Sequence, residues 1–231
     1  MRRFRQENPE RTAARFPLAP QLRNEYSFRV RMKPPPPGEQ PRLQPPADKR
    51  EAILDAALEL FVQRGFYGAA VPEIALRAGV GAGTIYRYFD SKEALVNVLY
   101  QMHKNALSDR MLADFPFAAP AREQFHAFWS RLARYVEAEP KAFAFLEVHH
   151  HADYLDLKSR DCEFRMTQIG VSYVETAQAR RDLRPGPPML LIGIVLGAFV
   201  GVVRKSWECG MTLTPDVWAQ AEQIVWEAIR S

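Results

Sequence analysis

The chain has 231 residues, enough for one large domain or two with a sizeable core. Its 47% hydrophobic and 25% charged content are those of a soluble globular protein, and its two cysteines, Cys162 and Cys209, lie too far apart for metal-ligand spacing, which points to structural thiols in a reducing cytoplasm. The net charge of +4 hides an asymmetry: residues 1–50 carry 12 Lys/Arg against 5 Asp/Glu, so the remaining residues sum to −3 and bulk charge on the folded part is excluded as a source of polyanion binding.

Residues 1–47 hold ten of the eighteen prolines, including Pro34-Pro35-Pro36-Pro37 and Pro45-Pro46. No core helix survives that density of breakers, so this arm reads as disordered, with polyproline stretches. It lacks the apolar run of a secretory signal. Two readings stay open: a basic extension that adds phosphate contacts, or a start site assigned too early, with Met32 the true first residue.

From Asp48 a helix is expected, with Asp48 as N-cap, Glu51 as its capping-box partner, and Ile53, Leu54, Ala57, Leu58 and Phe61 as an inward stripe. Gly65 ends it, and Phe66 returns to the core. Residues 71–92 then read as two short helices around a tight turn. Pro72 suits the first turn of a helix that ends at Gly79. Val80 is an apolar plug, and Gly81 is the N-cap of a second helix running through Phe89. This is a helix-turn-helix, whose second helix enters the DNA major groove.

The run Gly83-Thr84-Ile85-Tyr86-Arg87-Tyr88-Phe89, followed by Asp90-Ser91-Lys92-Glu93-Ala94-Leu95, resembles the DNA-binding domain of the tetracycline-repressor (TetR) family over roughly Lys49 to Met102. Ala57, Phe61, Gly65, Phe66, Ile74-Ala75 and Ala78-Gly79-Val80 extend the match. The resemblance implies an all-α homodimer, with an N-terminal three-helix DNA-binding domain and a larger helical domain that binds a small ligand and dimerises. Two positions depart from the family pattern: Ala69 and Ala70 replace capping hydroxyls, and Gly81 stands where serine is more usual.

Gly81, Ala82, Gly83, Thr84, Tyr86, Arg87, Tyr88 and Lys92 are the expected DNA-binding residues. Gly83 permits close approach, Thr84 meets a phosphate or a thymine methyl, and the tyrosine hydroxyls and Lys92 reach phosphates. Arg87 either forks onto guanine or simply solvates its face. Ile85 and Phe89 are core. The next helix, with Leu95, Val96, Leu99 and Met102 facing inward, ends the domain near Lys104 and joins it to residues 105–231.

Beyond that point, helices are expected near 121–137, 140–157, 159–181, 188–207 and 215–230. Aromatic residues are dense, and Phe125, Trp129, Phe145 and Tyr173 are the candidate walls of a pocket for an apolar or aromatic effector. His150, with His126, Glu147 and Gln168, is a candidate orienting group. Neighbouring residues on a helix diverge by about 100°, so His149-His150-His151 cannot converge on one ion. Neither metal, cofactor nor catalytic residue is expected. The apolar run 189–203 is shorter than the roughly 20 residues of a membrane span and reads as a buried helix. Gly193, Gly197 and Gly201 recur on one face of it. With Trp218, Ile224 and Val225 of the last helix they form the candidate dimer interface.

The leading expectation is a cytoplasmic, ligand-responsive repressor of a pseudo-palindromic DNA operator. A helical enzyme or an adaptor without DNA function is the alternative.

Overall fold

The computed structural model describes residues 49–149, 151 and 153–231; Asp48 and His150 lie outside them. Among the described residues the regular elements are helices: α1 (Lys49–Gly68), α2 (Val71–Arg77), α3 (Ala82–Ile85), α4 (Lys92–Leu112), α5 (Ala121–Ala138), α6 (Pro140–Phe143), α7 (Leu157–Ala179), α8 (Pro188–Cys209) and α9 (Pro215–Ile229). A π-helical turn, Ala144–Val148, continues α6.

Helices α1 to α3 form a small body around Ile53, Ala57, Phe61, Ile74 and Ile85, all at most 1% exposed. Gly65 breaks α1 at φ 70, ψ 175, a left-handed turn that favours glycine. It sends Phe66 inward and leaves Tyr67 outside. Ala70 supplies no side-chain cap to α2. Glu73 compensates by accepting the Ala70 N–H at 3.4 Å while pairing with Arg64 at 2.7 Å.

Helix α4 runs past Lys104 to Leu112, so the domain boundary expected after Lys104 falls inside a continuous helix. Leu95, Val96 and Leu99 face inward as expected, but Met102 is 42% exposed.

The helix expected over 140–157 is interrupted. After the π-turn the backbone becomes extended at His149 (φ −92, ψ 146), and helix resumes only at Leu157. Tertiary anchors replace helical hydrogen bonds here. The His149 ring reaches the Val62 carbonyl of α1 at 3.2 Å, and Tyr154 stacks on Phe66 with centroids 4.2 Å apart. Phe145 lies 6.2 Å from Phe61, and Lys141 pairs with Glu59, which also holds Arg77 at 2.6 Å. These contacts fix the small body on the larger one.

His151 is 7% exposed and its two ring nitrogens are both used: Nε2 bonds the Phe145 carbonyl, and Nδ1 accepts from the Tyr154 hydroxyl at 2.8 Å. That arrangement requires the neutral ring. Burial pushes the His151 pKa down to about 4, against 6.5 unfolded. The unfolded chain therefore binds the extra proton first, so this contribution is complete above pH 6.5 and is lost as pH falls towards 4. We expect stability to drop over that window, by on the order of 3 kcal/mol from this group at most. Urea unfolding at a series of pH values checks it. His151→Gln should flatten the slope, and an unchanged slope would show that the ring does not control it.

Helix α8 is long and apolar enough to cross a membrane by length and composition alone, and only 28% of its apolar window is buried within the chain. Leu191, Val195, Phe199 and Val203 pack inward, while Leu190, Gly193, Ile194 and Gly197 lie on an open face. The expected buried helix is thus buried on one side only.

Candidate DNA-reading face and ligand cavity

The reading face is built from α3 and the residues around it. Ile85 and Phe89, at 1% and 4% exposure, pin it to the core. The remaining side chains are thereby turned outward. Gly81, Ala82, Gly83, Tyr86, Arg87 and Tyr88 are exposed and Thr84 is half-buried. The helix is shorter than expected. Regular α-helix stops at Ile85, and residues 86–88 form tighter turns in which the Arg87 N–H bonds Thr84 and the Tyr88 N–H bonds Ile85. Such tightening is common at helix ends, where it satisfies carbonyls left over by the last turn.

Lys92 opens α4 beside this face. Ser91 caps that helix by accepting the Ala94 N–H at 3.1 Å. The Lys92 ammonium lies 4.3 Å from the centre of the Phe66 ring, and burial pulls its pKa below the usual lysine range, with Glu93 opposing. Its ammonium therefore packs on an aromatic ring while the residue stays partly exposed.

In the larger body, α4, α5, α7 and α8 enclose a cavity of about 580 Å³. Phe125 and Tyr173 line it, together with Leu107 and Met111 of α4 and Met166 of α7. The Tyr173 hydroxyl is already spent on the Ala121 carbonyl at 2.9 Å, so that residue offers its ring. Glu147 and Gln168 reach the wall, whereas His126 bonds Glu222 at 2.9 Å away from it. Phe115 and Phe117, 4.9 Å apart, border the cavity on a loop held by Arg131 through the carbonyls of Met111 and Asp114.

Two expected wall residues are elsewhere. Trp129 is 1% exposed between Phe199 and Trp218, and its Nε1–H donates to the Trp218 carbonyl at 3.2 Å. Phe145 is consumed by the junction with α1. Tertiary packing decides both cases: Trp129 is taken up by Phe199 of α8 and Trp218 of α9, and Phe145 by Phe61 of α1 and the ring of His151. The α4 residues of the wall were missed because the stripe Lys104, Leu107, Met111 continues beyond the point where that helix was expected to leave its domain. Its spacing of three and four was the available signal.

The candidate dimer residues also divide. A Cβ added at Gly193, Gly197 or Gly201 would meet nothing within 4 Å, so those positions face outward, as does Ile224 at 70% exposure. Trp218 and Val225, each 7% exposed, belong to the core of their own chain instead. They lie on the inner side of α9, and Ile224 is about 100° away from Val225.

Comparison with known proteins finds matches to two family profiles whose ranges overlap. Residues 79–231 match the family profile described as tetracyclin repressor-like, C-terminal domain, and residues 53–99 match that of bacterial regulatory proteins, tetR family. The chain belongs to the TetR family. This TetR-family protein is 38% identical over 72 residues to the fatty acid metabolism regulator protein of Bacillus subtilis (strain 168), spanning 31% of this chain and 37% of that protein's length. It is 29% identical over 139 residues to the HTH-type transcriptional repressor KstR2 of Rhodococcus jostii (strain RHA1), covering 55% and 68% of the two chains. A TetR-family protein of known structure from Vibrio parahaemolyticus superposes with a TM-score of 0.62 at 26% identity, over 80% of this chain and all of that one. As a TetR-family member the chain is a DNA-binding regulator of transcription, and ligand-responsive regulation is the norm of that family.

Proposed function

We propose that this protein is a cytoplasmic repressor that holds a pseudo-palindromic operator as a homodimer and releases it when an apolar or aromatic small molecule fills the cavity. One observation carries the reading. The unbroken α4 begins at Lys92 beside the reading face and ends as a wall of the cavity at Lys104, Leu107 and Met111. Whatever displaces that wall displaces the head. The names of relatives concerned with fatty acid metabolism and of a ketosteroid regulator agree with an apolar effector.

Magnitudes decide the effector class. Moving a population from 1:99 to 99:1 takes about 5.5 kcal/mol of differential affinity. At about 25 cal/mol per Å² that corresponds to some 220 Å² more apolar surface buried in the released state. An acyl or aromatic compound can supply this; a small ion or a sugar cannot. The direct test is a gel shift on the upstream intergenic DNA, with and without such compounds. Failure to bind that DNA, or retention of it at saturating effector, would defeat the reading.

The DNA contacts have their own test. Lys92→Ala and Tyr86→Phe should weaken binding to all sequences alike, because phosphate contacts position without specifying. Loss of one phosphate charge should flatten the log affinity against log salt slope by about 0.9. A folded Lys92→Ala protein with the original slope would remove Lys92 from the interface.

A further inference from the structure

The effector cavity is mostly apolar and carries ionic groups at its two ends; at one of these ends α4, the π-turn and α7 meet. There the Lys104 ammonium bonds Glu147 Oε1 at 3.1 Å, with the lysine side chain only 11% exposed. Glu163, also on the wall, accepts the Tyr100 hydroxyl at 3.2 Å. An ammonium carries three N–H donors, and among the described residues Glu147 is the only hydrogen-bond acceptor of this one. The Tyr100 ring centre lies 5.9 Å from the ammonium, and at least one donor remains to face the cavity. A buried ion pair is weak support for a fold, since an apolar pair of similar volume often serves as well or better. Its position on the wall suits recognition.

We propose that Lys104 reads the effector, and that the molecule it selects is neutral and mostly apolar, with one carbonyl oxygen, as in a ketone, an ester or a thioester. This rests on the effector reading above and narrows it. The charges at this end decide the head group. Lys104 stands with two carboxylates, so an incoming acid would bring a third negative group to a single positive one. An amine would compete with Lys104 for Glu147 and leave the lysine donors unused. A carbonyl oxygen accepts one of those N–H groups without changing the charge. The other ionic groups on the wall, Arg180 and Asp182, are of opposite sign and lie beyond the far end of α7, about 25 Å along from Glu163.

Three ten-carbon phenylalkyl probes separate the possibilities: butyrophenone, butylbenzene and 4-phenylbutyrate, titrated into the full-length protein by calorimetry at neutral pH. Butyrophenone should bind about tenfold more tightly than butylbenzene, the value of a hydrogen bond to a charged donor, and 4-phenylbutyrate should bind weakest. Lys104→Met should erase the preference for the ketone while keeping butylbenzene binding, which also reports an intact cavity. Lys104→Arg should retain the preference, and Glu147→Gln should strengthen 4-phenylbutyrate selectively. Equal binding of ketone and hydrocarbon by the wild-type protein, tighter binding of the acid, or a preference that survives in Lys104→Met would each overturn the role of Lys104 and leave the apolar effector reading standing. If none of the three binds the wild-type protein, the effector reading itself falls, and this inference with it.

Discussion

A Gly197→Leu chain is expected to fold normally and to lose its operator. Within the chain a Cβ at this position meets nothing within 4 Å, and leucine is a better helix former than glycine by about 0.8–1 kcal/mol, so the isolated subunit should be no less stable. Between two subunits the outcome reverses. Gly193, Gly197 and Gly201 leave α8 bare along one face, with Leu190, Ile194 and Ile224 exposed around it. A leucine there props the partner away, and two-fold symmetry imposes the damage twice, at about 1–3 kcal/mol for each overpacked site. Without the dimer the two heads no longer bind as a linked pair, and operator affinity should fall by about a hundredfold or more. Sedimentation gives the mass and a gel shift the affinity. A variant that remains dimeric and still binds its operator would place the interface elsewhere.

Trp129→Ala is expected to cripple the fold rather than the effector response. The indole is enclosed by Phe125, Phe199 and Trp218, and its N–H is satisfied by a backbone carbonyl. Truncating such a residue typically costs about 3–5 kcal/mol, a large share of the stability of any domain. The melting temperature and the urea midpoint should both fall steeply. Should the variant melt like the wild type and lose only its response to effector, the packing account given above for Trp129 would be wrong.

The contrast between Phe125 and Trp129 shows what sequence can carry. Local signals placed the reading head well: Gly65 and Gly79 impose left-handed turns, Pro72 starts a helix, and Ile85 with Phe89 fixes which side of α3 is inward. Each depends on residues within a few positions of one another. The larger body depends on distant partners. Nothing near His149 announces that the helix from Pro140 will end there, because the reason is Val62, Phe66 and Phe61 on a helix some eighty residues earlier. A one-residue difference in helical phase likewise separates Ile224 on the open face of α9 from Val225 in the core, and periodicity alone reads both as apolar. Lys104 escaped notice for another reason. A lone lysine in an amphipathic helix looks like surface until the fold brings Glu147 to it.

Helix α4 is also a rod. Its 21 residues extend about 31 Å without a break. A rod of that length converts angle into distance: a tilt of roughly 5° at the cavity end carries the other end through about 2.7 Å. In a symmetric pair the two ends move in opposite senses, changing their separation by about 5 Å, more than the 3.4 Å rise of one base-pair step. Angular gain of this kind sets the scale of motion demanded of the cavity. On the proposed reading, a few rotamer changes around Leu107 and Met111 would put two recognition elements out of register with a fixed DNA spacing.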